Sequence, residues 1–133
     1  MDNAKAKAET PAKIRVLLAD DHPTMRRMLV LSLEDEPDIE IVGQAAEGED
    51  AVRMTRELRA DVVLMDVSMP QMDGAAATRI IHSELPDVRV LGLTVFDEED
   101  AGDAMRQAGA VGFLSKSKSL DRLAEAIRQC ARS

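Results

Sequence analysis

Residues Ala60 to Gly74 read ADVVLMDVSMPQMDG. Val62 to Met65 is an unbroken apolar run, as a strand buried on both faces requires. It is too short for a helix and is bounded by turn residues, so it predicts a strand. Asp66 then places a charge where the run stops, and Ser68-Met69-Pro70 turns the chain away. Proline removes a donor and restricts the residue before it, which fixes that turn. The stretch predicts a strand whose end presents a carboxylate.

The same unit recurs on either side. Ile14–Ala19, Ile39–Ala45, Val88–Leu93 and Val111–Leu114 are further apolar runs. Helical spacing fills the gaps: Pro23–Leu33, about Glu49 to Leu58, Ala75–Leu85, Glu98–Ala108, and Leu120 to about Ala131. Pro23 suits a first helical turn. Met25, Met28, Leu29 and Ser32 fall on one face, so both methionines are expected in the core. Five strands alternating with five helices, the strands apolar throughout, predict an α/β fold with a parallel sheet covered on both faces. Right-handed crossovers then build three layers, with a ligand crevice outside the carboxyl ends of the strands.

A chain of 133 residues fits one domain and buries about two-thirds of its unfolded surface without disulfide or structural metal. Residues 1–12 lack an apolar period and read as a flexible tail or linker, leaving 13–133 as the domain. The single cysteine, Cys130, argues for a reducing, cytoplasmic setting. No run approaches the roughly 18 apolar residues of a membrane span, and the N-terminus has no secretory apolar core. A net charge of −8 and only two aromatic residues, Phe96 and Phe113, argue against direct nucleic-acid binding or base stacking.

The strand ends carry the chemistry. The first strand ends in Asp20-Asp21, the third in Asp66 and the fourth in Thr94, and Lys116 follows the fifth. Any one aspartate at such a junction is ordinarily a helix cap. Four segments bringing polar groups to the one edge where this fold builds sites is a different matter. Clustered carboxylates repel one another, and a bound cation relieves that. Oxygen ligands with room for water suit Mg²⁺. Thr94, Lys116 and the metal could then surround a phosphoryl group, with Asp66 as the nucleophile that forms an aspartyl phosphate.

The stretches LLADDHPTMRRML, VVLMDVSMPQMDG, VLGLTVFD and GAVGFLSK together resemble the receiver domain of bacterial two-component response regulators. "ADDHP" and Lys116-Ser117 resemble receivers of LuxR-type transcription regulators in particular. The resemblance implies a flavodoxin-like (βα)5 fold with strand order 2-1-3-4-5. It implies Asp66 as phosphoacceptor, Asp21 as direct metal ligand, Asp20 as its partner through water, and the Ser68 carbonyl as a further ligand. Thr94 would bind the phosphoryl oxygens, Lys116 would neutralise them, and Phe113 would be the switch aromatic. Ser68 and Phe96 fall at two positions that tune the lifetime of the phosphorylated state. Implied partners are a histidine kinase or histidine phosphotransfer protein, an output domain or effector, and a second copy on phosphorylation. Such a receiver is a switch and performs only its own phosphorylation and dephosphorylation.

His22, beside the acidic pair, is expected to start a helix or pack, and His82 to be exposed. Asp97–Asp103 is expected as a solvated helix start. Three other readings compete. A phosphatase of the haloacid dehalogenase type needs an acid–base Asp two residues after its nucleophile, where Ser68 stands. A flavin mononucleotide carrier needs a hydroxyl- and glycine-rich phosphate loop where this chain has the anionic DDHPT. An inert docking module would not need a complete site.

Overall fold

The computed structural model describes residues 13–67, 69, 72–94, 99–115 and 120–132. The expected linker, residues 1–12, lies outside them. In chain order the elements are β1 (Ile14–Ala19), α1 (Pro23–Leu33), β2 (Ile39–Ala45), α2 (Gly48–Leu58), β3 (Val62–Asp66) and α3 (Gly74–Glu84). Then come β4 (Arg89–Thr94), α4 (Glu99–Gln107), β5 (Gly112–Ser115), a 3₁₀ turn at Leu120–Arg122 and α5 (Leu123–Arg132).

The strands pair in parallel in the order β2-β1-β3-β4-β5. Alternation along each strand sends side chains to two separate cores. On one face Leu17, Ala19, Val63, Met65 and Val90 meet Ala51, Ala77, Ile81 and Met105 from α2, α3 and α4. On the other, Val16, Leu18, Val62, Leu64, Leu91 and Leu93 meet Leu29 and Leu33 of α1, and Leu123, Ile127 and Cys130 of α5. Each such large apolar side chain contributes about 1.5–3 kcal/mol on burial, before the cost of chain ordering. This double burial is why the strands read as continuous apolar runs.

Two local expectations need correction. Met28 is 44% exposed. The buried seam of α1 follows Leu29 and Leu33, four residues apart, flanked by partly buried Met25 and Val30. One residue turns a helix by about 100°, which carries Met28 off that seam. The last helix is also not α-helical from Leu120: its first turn is 3₁₀ and the α-helix starts at Leu123.

Charged side chains tie the periphery. Arg128 on α5 forks onto Asp38 before β2, its Nε donating at 2.7 Å and its Nη2 at 2.9 Å, and Nη2 also donates to Glu36. The fork holds the Asp38 carboxyl below its ordinary value, chiefly through the hydrogen bonds from Arg128. Burial pushes the Cys130 thiol up to about 11, which leaves it protonated and inert at neutral pH. No helix among the described residues is long and apolar enough to cross a membrane.

Candidate functional site

Parallel pairing without large offsets brings the carboxyl ends of β1, β3 and β4 to one edge. Asp20 leaves β1 with its N–H donating to the Ala45 carbonyl at 2.9 Å, so β2 fixes its backbone. Its side chain is fully buried, and its carboxylate accepts the His22 N–H at 2.9 Å. The Asp20 carbonyl accepts from Arg26 Nη1 at 2.5 Å, which clasps the acidic pair to the first turns of α1. Asp21 is partly exposed, but its Oδ1 is buried and accepts no hydrogen bond among the described residues. Its 3.0 Å approach to His22 Nδ1 is an ion-pair distance without hydrogen-bond geometry.

Asp66 is the last residue of β3, paired with Leu93, and is only 3% exposed. The chain then folds back on it. Val67 N–H donates to the Leu93 carbonyl at 3.0 Å, and Gly74 N–H donates to the Val67 carbonyl at 2.9 Å. Asp73 caps α3, its Oδ1 accepting the Ala76 N–H at 2.8 Å. Asp73 is thus the ordinary capping aspartate of this segment, while the carboxylate of Asp66 joins the acidic cluster. Thr94 ends β4, 8% exposed, opposite Ser115. Phe113 is half-buried in β5, its ring edges lying against the Cα faces of Gly92 and Gly102.

Asp20, Asp21, His22 and Asp66 each bring one ligand atom to a group whose atoms all lie within 4.8 Å of one another. Three carboxylates this close, two of them on nearly or fully buried residues, make an unfavourable array unless a cation balances them. Their oxygen-rich donor set, including a buried Asp21 oxygen with no hydrogen bond to satisfy it, fits a hard dication.

Asp20, Asp21 and Asp66 are therefore together as the sequence expects, with Thr94 at the same sheet edge. Lys116, Ser68 and Phe96 lie outside the described residues, as do Asp97 and Glu98 of the expected acidic helix start. In that start, Asp103 lies 3.6 Å from Arg106. His82 is exposed as expected. His22 starts α1 as expected, but its side chain makes no cap bond and the ring turns to the carboxylates. Arg26 was not anticipated. Its partner is a backbone carbonyl, so no residue type in the sequence signalled the contact.

Residues 16–128 match the response regulator receiver domain family. The chain is 42% identical over 116 residues to the response regulator GacA of Pseudomonas aeruginosa, covering 87% of this chain and 54% of that protein. It thus spans about half the length of the curated relatives it matches. The signal receiver domain designated NarL from Mycobacterium tuberculosis is 34% identical, with a TM-score of 0.88 over 92% of this chain and 99% of that one. A LuxR-family two-component response regulator from Aurantimonas is 31% identical, with a TM-score of 0.86 over 91% of this chain and 86% of that one. These likenesses decide for the receiver reading over the phosphatase and flavin-carrier readings. With its strand order, its acidic strand ends and these relatives, the chain belongs to the response regulator receiver domain family.

Proposed function

We propose that this receiver takes a phosphoryl group onto Asp66 from a histidine kinase or histidine phosphotransfer protein and so controls an output domain or effector. The observation that carries the reading is the convergence of Asp20, Asp21 and Asp66 at the strand ends, with ligand atoms within 4.8 Å of one another. Asp20, Asp21, Asp66 and the Ser68 carbonyl would hold Mg²⁺. When bound, the ion would neutralise charge on the transferring phosphoryl oxygens. One Asp66 oxygen attacks phosphorus as the donor's P–N bond breaks, and the leaving imidazole takes up a proton. The sheet holds the Asp66 backbone still, so the nucleophile is oriented before the donor arrives. Thr94 and Lys116 receive the phosphoryl oxygens, and Phe113 follows Thr94 inward. Ser68 and Phe96 set how readily water reaches the phosphorus. The reading gives the chain no chemistry beyond its own phosphorylation and dephosphorylation, and makes pairing with a second copy a consequence of the phosphorylated state.

The experiment is incubation with acetyl phosphate and Mg²⁺, followed by intact-mass measurement. The expected gain is one phosphoryl group, labile in acid and in base and released by hydroxylamine as an acyl phosphate is, absent in Asp66→Asn. Lys116→Ala should still accept the group yet show a blunted conformational response. An unchanged gain in Asp66→Asn would move the acceptor elsewhere.

A further inference from the structure

We propose that His22 supplies a nitrogen ligand to this dication site and turns its preference toward a first-row transition ion such as Mn²⁺ over Mg²⁺. The proposal rests on the reading of Asp20, Asp21 and Asp66 as the metal-binding carboxylates.

The geometry carries it. His22 Nδ1 lies 3.2 Å from Asp20 Oδ1, 3.0 Å from Asp21 Oδ1 and 4.0 Å from Asp66 Oδ2. Nδ1 is within hydrogen-bond reach of Asp20 Oδ1 and belongs, with Asp20, Asp21 and Asp66, to one group of ligand atoms all within 4.8 Å of one another. The ring is also held at its root. His22 N–H donates to Asp20 Oδ1 at 2.9 Å, its carbonyl accepts the Arg26 N–H at 3.0 Å, and Pro23 restricts its backbone. With 62% of its side chain exposed, the imidazole stands at the solvent side of the buried Asp20 carboxylate.

The donor set then decides the ion. Three carboxylate oxygens alone suit a hard dication, whereas an imidazole nitrogen favours ions further along the first transition row. Mn²⁺ accepts both donor types in octahedral geometry. The competing role for His22 is a hydrogen-bond donor to Asp20 that any metal must displace. That role predicts the opposite sign, because removing the ring would then help the metal to bind.

The test is calorimetric titration of wild type, His22→Ala and Asp21→Ala with MgCl₂ and with MnCl₂ at one pH, together with pulsed EPR of the bound Mn²⁺. The expected result is a directly coordinated ¹⁴N coupling in wild type that vanishes in His22→Ala. Mn²⁺ affinity should fall about tenfold in that variant and Mg²⁺ affinity much less. Absence of the ¹⁴N coupling in wild type would overturn the proposal, as would Mn²⁺ binding to His22→Ala as tightly as to wild type or more so. Asp21→Ala separates the two levels of the argument. If it keeps full affinity for both ions, or if wild type binds neither, the carboxylate site itself is wrong and the role of His22 falls with it.

Discussion

A side-chain carbon placed on Gly74 would stand 2.2 Å from the carbonyl oxygen of Asp66 and 2.9 Å from the Val67 Cα. The start of α3 is thus laid directly on the backbone of Asp66. Gly74, which ends the D-x-x-M-P-x-x-D-G stretch, permits this approach because it has no side chain. Gly74→Ala must push α3 and the end of β3 apart. It should cost about 1–3 kcal/mol, read as a lowered urea midpoint, and slow phosphorylation of the folded fraction. A variant with wild-type stability and phosphorylation rate would show that the contact relaxes freely.

Phe113 is held in a similar way. Its Cδ1 lies 2.8 Å from where a Gly92 side-chain carbon would be, and its Cδ2 lies 3.2 Å from the corresponding point on Gly102. Gly92→Ala should therefore displace the ring before any phosphoryl group arrives. The measurable outcome is a shifted Phe113 ring resonance in the unmodified protein and a smaller further shift on phosphorylation. An unmoved ring in this variant would mean that neighbouring Met105, not Phe113, yields.

Thr78 on α3 is fully buried, and its hydroxyl finds no hydrogen-bond partner among the described residues. A buried hydroxyl left unsatisfied costs about 1–3 kcal/mol. Thr78→Val keeps the shape and removes the polar atom, so it should raise stability by about 1 kcal/mol in urea unfolding. A loss of stability would indicate that the hydroxyl is in fact satisfied.

The fork of Arg128 on Asp38 gives an acid-side signature. The Asp38 carboxyl is held below 3.8, first by hydrogen bonding from Arg128. A carboxyl lowered on folding contributes stability above its unfolded value, and that contribution is lost as pH falls through the lowered one. Arg128→Met should therefore lower the urea midpoint at pH 7. The gap from wild type should close as pH drops below about 3.8. A gap that stays constant down to pH 2 would assign the effect to packing of the Arg128 stem instead.

Much of the fold was legible because it rests on a repeating period. Ile14–Ala19, Pro23–Leu33 and Ile39–Ala45 have the bounds that their apolar patterns predict. Where the pattern misled, the cause was tertiary. Met28 has the right type for a core, but the angle at which α1 meets the sheet is set by Leu29 and Leu33. In the site, Asp20, Asp21 and Asp66 could be named because charge at the end of a buried strand is costly and conspicuous. The clasp of Arg26 on the Asp20 carbonyl could not be read in advance, since a backbone acceptor leaves no mark on the sequence. The direction of the His22 ring was equally hidden: the same residue in the same place could cap a helix, pack or bind, and only coordinates separate these.

The position of β3 has a consequence for how a signal would travel. It is the middle strand of five, hydrogen-bonded along both sides, while β5 is an edge. Amide hydrogens of a doubly flanked central strand ordinarily exchange with solvent only through global unfolding, and those of an edge strand through smaller openings. Slower exchange is therefore expected along β3, which Asp66 ends, than along β5, which carries Phe113. On the proposed function, phosphorylation at the centre would be reported at the rim without the centre yielding. Native-state exchange before and after phosphorylation should accordingly differ along β5 and leave β3 almost unaltered.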